Sequence, residues 1–144
     1  MQEDKRLFEL EELLNEAKEQ NIGLIFKQCI SFPRYEVSTY GQVKSPAKVI
    51  TKKCPRGGDG EYSYFIKEKF LQHLHTGIDQ RWTTVLLIKD ELDGRRSRNQ
   101  ISIAKLIIST FLNIEIKELP RQIYFIDGDP KNITLHNLSF FRSR

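Results

Sequence analysis

Residues 124–140, YFIDGDPKNITLHNLSF, decide how the C-terminal part of this chain folds. Tyr124 and Phe125 are an aromatic pair that suits a short β-strand. Asp127 and Gly128 supply the unusual φ/ψ values of a tight turn. Asn132 stands seven residues after Phe125, and the pair Asn137-Leu138 begins five residues further on. The expectation is a unit of two short strands around a turn-rich loop.

Upstream of it, SIAKLIISTFL (102–112) puts Ile103, Leu106, Ile107 and Phe111 at helical spacing after Ser102, a residue type that caps helix starts. The strand RWTTVLLIKD (81–90) runs through the turn ELDG into RRSRNQISI (95–103), an antiparallel hairpin with Arg95, Arg96 and Arg98 at its tip or return strand. FPRYEVSTYGQVKS (32–45) alternates around a polar turn at Ser38 and Thr39 and reads as a hairpin or meander. AKVITKK (47–53) reads as a further strand, and CPRGGDGE (54–61), with its Pro and Gly, as an exposed loop. Between them, EYSYFIKEKFLQHLHTGIDQ (61–80) carries Phe65, Phe70, Leu71 and Leu74 with a closing Gly77, and part of it is expected to be helical.

The first 20 residues place Leu7, Leu10, Leu14 and Ala17 on one helical face, widened by Phe8 and Leu13, with Asn21 and Gly23 as stop signals. Two units are expected: residues 1–22 as a separate amphipathic helix and residues 23–144 as the main domain. The stripe serves either its own core or a protein partner, and Leu7, Leu10, Leu14 and Ala17 are the candidate partner-binding residues.

With 144 residues and 39% of them hydrophobic, the chain is long enough to bury a core. No apolar run approaches the roughly 20 residues of a membrane helix, and the charged N-terminus is unlike a signal peptide. A soluble intracellular protein is expected. Cys29 and Cys54 lack paired spacing, as free thiols of a reducing compartment would. The net charge of +4 divides into −4 on residues 1–20 and +8 on the rest. The basic body suits a polyanionic partner, whereas the acidic leader does not.

Taken in order, these segments resemble the small HNH homing endonucleases that carry a nuclease-associated modular DNA-binding motif at the front. FKQCISFPRYEVSTYGQVKS matches that motif at Phe32, Tyr35, Val37, Ser38, Gly41, Val43 and Ser45, with Phe26 where the family has Trp. WTTVLLIKDELDGRRSR and ISIAKLIISTFL fill the places of the family's basic hairpin and following helix. Lys105 stands there at an Arg position and Ala104 at a His. YFIDGDPKNITLHNL fills the final element. The resemblance covers residues 26–141, with an apparent insertion at 54–81. It implies an α+β fold: small antiparallel hairpins with two or three helices, and a ββ remnant of a ββα-metal site at the C-terminus.

The same resemblance implies that the chemistry is gone. HNH cleavage needs a base that activates water and a metal that stabilises the leaving oxygen. The base position is Phe125, the metal-binding position before it is Tyr124, and Asn137 would orient a His that is missing. The expected function is therefore non-catalytic DNA binding or scaffolding, as an accessory subunit of a DNA-processing or DNA-modifying complex. Neither a cofactor nor a metal is expected, and the location is the nucleus or nucleoid if DNA is bound. Candidate DNA-binding residues are Lys44, Lys48, Lys52, Lys53, Arg95, Arg96, Arg98 and Lys105, which would contact phosphates of double-stranded DNA.

Two alternatives stand beside this one. A divergent active endonuclease would draw on Asp127, Asp129 and His136, and a structural subunit would bind RNA or acidic protein. His73, His75 and Cys54 could seed a zinc site but fall short of four ligands at recognisable spacing.

Overall fold

The computed structural model describes residues 2–54, 60–76, 82–90 and 95–141. Its first element is the helix Gln2–Gln20 (α1), formed as the leucine spacing predicts. Asn21 closes it by donating its backbone N–H (3.0 Å) and its side-chain Nδ2 (2.7 Å) to the Ala17 carbonyl. Gly23 follows at φ +88°, a left-handed value that residues with a Cβ disfavour.

The apolar stripe of α1 faces inward. Leu10, Leu14 and Ala17 are 1%, 0% and 5% exposed and lie in one buried cluster with the second helix, and Leu7 packs against that cluster. Glu11 ties the same helix to the far end of the chain: its Oε1 accepts from Ser139 Oγ (2.9 Å) and its Oε2 from the Phe140 N–H (2.8 Å). This corrects the reading of Leu7, Leu10, Leu14 and Ala17 as a partner-docking face. Packing within the chain already removes them from water, which is the gain a partner would have offered. Phe8 and Leu13, expected to widen the stripe, are both exposed, Phe8 with its ring centroid 5.1 Å from that of Phe141.

The hairpin expected over residues 32–45 forms from Glu36–Ser38 and Val43–Ser45, and Phe26–Gln28, which the sequence reading does not include, adds an antiparallel strand in front of it. In chain order these are β1 (Phe26–Gln28), β2 (Glu36–Ser38) and β3 (Val43–Ser45). The β2–β3 turn is held by Ser38, whose Oγ accepts from the N–H groups of Tyr40 (3.1 Å) and Gln42 (3.0 Å). Gly41 sits in that turn at φ +84°, and a Cβ there would lie 2.7 Å from the Ile133 carbonyl oxygen. Neither the conformation nor the contact admits a side chain. Beside it, the Leu135 N–H donates to the Thr39 carbonyl (2.7 Å), so the meander turn and the C-terminal loop are clasped together.

The chain then forms Lys48–Lys53 (β4) and Glu61–Ile66 (β5), a two-stranded ribbon, followed by Lys69–Phe70 (β6) and Leu74–Thr76 (β7). Where a partial helix is expected over residues 61–80, the described part, 61–76, forms the short strands β5, β6 and β7 and no helix. Tyr62, Tyr64 and Phe65 favour a pleated surface, and cross-strand pairing with residues 48–53 gives their backbone its hydrogen bonds. Gly77 and most of the loop expected at 54–61 lie outside the described residues. The stretch taken as an insertion is woven into both larger sheets: β6 pairs with β3, and β7 pairs with the next strand.

That strand, Trp82–Asp90 (β8), forms the predicted hairpin with Arg96–Ser102 (β9), in a register running from Asp90↔Arg96 to Thr84↔Ser102. The ELDG turn lies outside the described residues. Ile88 N–H donates to Tyr35 Oη (3.1 Å), linking this sheet to the first.

Ile103–Leu112 (α2) follows without a break and is the centre of the molecule. Eight of its ten residues are buried, Ile103, Leu106, Ile107 and Ile108 completely. A helix that is apolar nearly all round is a core helix, and burial outweighs the weak helix preference of its β-branched residues. Asn113 ends it at φ 59° and ψ 42°.

The last pair, Tyr124–Phe125 (β10) and Leu138–Ser139 (β11), is antiparallel with Phe125 opposite Leu138. The described residues form an α+β arrangement of two α-helices with small antiparallel sheets. Among the described residues, no helix is long and apolar enough to cross a membrane.

Candidate nucleic-acid interface

The eight basic residues singled out in the sequence fall into separate places. Lys44 is engaged inside the first sheet. Its Nζ lies 3.7 Å from Glu36 Oε1, 3.3 Å from Glu68 Oε2, and 4.2 Å from the centroid of the Phe26 ring. Glu36 is its direct cross-strand partner, so the β2–β3 register itself brings the charges together. Lys44, expected from the sequence to contact phosphate, is thus already paired with two carboxylates.

Lys48, Lys52 and Lys53 are exposed on β4. Lys48 and Lys52 share one face and Lys53 points to the other, as the two-residue period of a strand requires.

Arg95, Arg96 and Arg98 are exposed at the start of the β9 arm. Arg96, Arg98 and Gln100 alternate with the less exposed Ser97, Asn99 and Ile101, and so form one outward row. Gln100 is absent from the residues that the sequence singles out; its Nε2 donates to Thr84 Oγ1 (2.8 Å), fixing the end of that row. Only the strand register reveals it.

Lys105 lies on α2, three residues beyond the other end of β9, whose span from Arg96 to Ser102 is roughly 20 Å at the rise of an extended strand. It borders a small cavity of about 70 Å³ that also touches Ala104, Arg121, Gln122 and Phe125. The two positions where the resemblance would have placed histidines, Ala104 and Phe125, therefore line one cavity.

The 126–137 loop is locked by its own polar groups. Asp127 Oδ1 accepts from the Asp129 N–H (2.8 Å) and Asn137 Nδ2 (2.9 Å), and its Oδ2 accepts from Asn132 Nδ2 (2.7 Å). Asn137 also accepts the Asp127 N–H at Oδ1 (3.1 Å) and donates to the Asn132 carbonyl (2.8 Å). These donors, the Asn132 amide first, then the Asp129 N–H and the Asn137 amide, hold the Asp127 carboxyl below its ordinary value of 3.8. Gly128 takes φ +75° to complete the turn. Asp129 Oδ1 accepts from the Lys131 N–H (3.0 Å), and His136 Nε2 lies 3.1 Å from the Asn21 carbonyl.

His75 lies on β7 with Nδ1 3.4 Å from Thr83 Oγ1, and Cys54 follows β4, where its N–H donates to the Gly60 carbonyl (3.0 Å). Among the described residues, no three His, Cys, Asp or Glu side chains are grouped to hold a metal ion.

Tyr62 and Tyr64 likewise stand outside the sequence-derived candidates. They project from the same face of β5 with ring centroids 6.2 Å apart and planes within 22°. The alternation Tyr-Ser-Tyr is a strand signal that points to them. Comparison with protein-family models, with curated proteins and with solved structures finds no match to this chain.

Proposed function

We propose that this chain is a non-catalytic DNA-binding or scaffolding protein with an HNH-like frame, acting as an accessory subunit of a DNA-processing or DNA-modifying assembly. The observation that carries DNA binding is the outward row of Arg96, Arg98 and Gln100 on β9. Neighbouring guanidinium groups on one strand face suit phosphate oxygens, which arginine grips with two parallel hydrogen bonds, and a glutamine beside them can reach a base edge.

The non-catalytic half of the reading draws on the C-terminal loop. Tyr124 and Phe125 stand in a paired strand. Asp127, Asp129 and His136, the donors an active endonuclease would have to recruit, each have polar contacts within the fold. A base or metal ligand taken from them would leave Asn132, Asn137 or backbone N–H groups without partners. A protein partner in such an assembly would use a surface other than the buried stripe of α1, and a DNA-bound chain would reside in the nucleus or nucleoid.

The test is duplex binding as a function of salt. Replacing Arg95, Arg96 and Arg98 together by alanine should reduce the slope of log affinity against log salt by about 2.7, at roughly 0.9 for each phosphate no longer neutralised. An unchanged slope would move the interface elsewhere. Supercoiled plasmid incubated with Mg²⁺ or Mn²⁺ should remain intact; nicking that Asp127→Ala abolishes would restore the endonuclease reading.

A further inference from the structure

The β4–β5 ribbon stands apart from the core. Among its strand residues only Ile50 and Ile66 are half-buried, and the others are exposed on both faces. A two-stranded ribbon is at best marginally stable in water, so an uncovered one of this length is a surface that another molecule can complete.

The cross-strand register assigns its faces. Lys52↔Tyr62, Ile50↔Tyr64 and Lys48↔Ile66 lie on one side, and Val49↔Phe65, Thr51↔Ser63 and Lys53↔Glu61 on the other. The first side is basic and aromatic. Its tyrosine rings are near-parallel at 6.2 Å, and Lys52 Nζ stands 5.8 Å from the Tyr64 ring centroid. Stacked bases repeat at about 3.4 Å, so the two ring centroids are separated by close to two base steps. Lys48 and Lys52 carry positive charge along the same face, while the single carboxylate in these strands, Glu61, projects from the opposite one.

Aromatic faces beside lysines suit a ligand that exposes both π-surfaces and phosphates. Duplex DNA hides the faces of its bases; an unpaired strand offers them. We infer that the face formed by Lys48, Lys52, Tyr62 and Tyr64 is a stacking site for unpaired nucleic acid. Each tyrosine stacks on a base, and the lysines hold the flanking phosphates. This site is distinct from the Arg96–Arg98 row and does not rest on duplex binding there. The ribose 2′-hydroxyl has no assigned partner on this face, so DNA and RNA single strands share the chemistry it recognises.

Fluorescence anisotropy of the full chain with labelled oligothymidylate, oligouridylate and a mixed-sequence duplex tests the site. Tyr62→Ala with Tyr64→Ala should weaken single-strand binding by at least about tenfold, the scale of one base–aromatic stack, and leave duplex affinity unchanged. Tyr62→Phe with Tyr64→Phe keeps both rings and should retain single-strand affinity, which separates stacking from loss of the ribbon's fold. Lys48→Gln with Lys52→Gln should flatten the single-strand salt slope by about 1.4, at roughly 0.7 per phosphate. The two single strands tell whether DNA or RNA is preferred, and tyrosine-dependent binding of either supports the site. Single-strand affinity unchanged by the double alanine variant, or an equal loss on duplex, overturns it. Failure of the arginine variants on duplex would leave this result untouched.

Discussion

Leu14 is the most direct probe of how α1 is held. Its side chain is 0% exposed in the cluster shared with α2, so Leu14→Ala removes three buried heavy atoms and leaves a cavity that the other members of the cluster, Leu106, Ile107 and Leu138 among them, fill poorly. Buried Leu→Ala changes cost about 2–5 kcal/mol, and a completely buried site in a well-packed cluster belongs in the middle of that range, about 3 kcal/mol. For a domain near this size each kcal/mol moves the melting temperature by about 2–4 °C, so the variant should melt about 10 °C below the parent. Leu13→Ala, one residue away on the exposed side, should change stability by no more than about 0.5 kcal/mol. Leu10→Asp combined with Leu14→Asp buries two unpaired charges. That costs several kcal/mol against a total of about 5–15 kcal/mol, and should abolish the cooperative transition. The assay is thermal melting by far-ultraviolet circular dichroism on the isolated chain. A double aspartate variant that melts cooperatively near the parent would refute the inward packing of α1 and return the stripe to a partner.

Three further outcomes follow from the interior and the C-terminal turn. Burial pushes the Cys29 thiol up to about 11, with the Thr110 hydroxyl pulling it down and the Glu36 charge adding to the rise. At pH 8 only about one molecule in a thousand then carries the thiolate, so a disulfide reagent should modify Cys54 in the native chain and reach Cys29 only on denaturation. Thr110 Oγ1 is near that thiol but buried without a hydrogen bond of good geometry. Thr110→Val should therefore stabilise the chain by about 1 kcal/mol in urea melts, and a loss of stability would mean the hydroxyl has a partner. The Asp127 carboxyl is held below 3.8, so its contribution is present at neutral pH and is lost as the pH falls below 3.8 through the lowered value. The Asn132 and Asn137 side-chain amide signals should move together in that acidic window by nuclear magnetic resonance, and Asp127→Asn should erase the step.

Where one element's own spacing carries the information, the fold is legible in the sequence. The leucines of α1, the Ile-Leu-Ile-Phe pattern of α2, the turn around Ser38 and Thr39, and the arms of the β8–β9 hairpin all form as their periodicity implies. Residues 61–76 mislead because Phe65, Phe70, Leu71 and Leu74 are spaced loosely enough to suggest a helix face. The pairing of β6 with β3 and of β7 with β8, which makes them strands, is set by residues far back along the chain or still to come in it. Periodicity also says that a stripe must be covered without saying by what, so the inward turn of Leu10 and Leu14 is not legible in α1 alone. The same holds for the basic residues. Lys44 and Lys48 look alike in sequence, yet the register sets Glu36 opposite Lys44 and leaves Lys48 facing water.

The bond from Glu11 to the Phe140 N–H joins residues 129 positions apart, and so has a bearing on how the chain folds as it is made. During synthesis α1 is made well before Ser139 and Phe140, with more than a hundred residues of chain between them. Leu10 and Leu14 must wait until the intervening residues are made before the wall that includes Leu138 exists. A closure of this length comes late in folding, because its entropy cost precedes its contacts. The exposed row of Glu9, Glu12, Glu16 and Glu19 keeps the waiting helix charged and repels other nascent copies of itself. The charge of −4 on residues 1–20, opposite in sign to the +8 of the rest, suits a helix that stands exposed between its making and its burial.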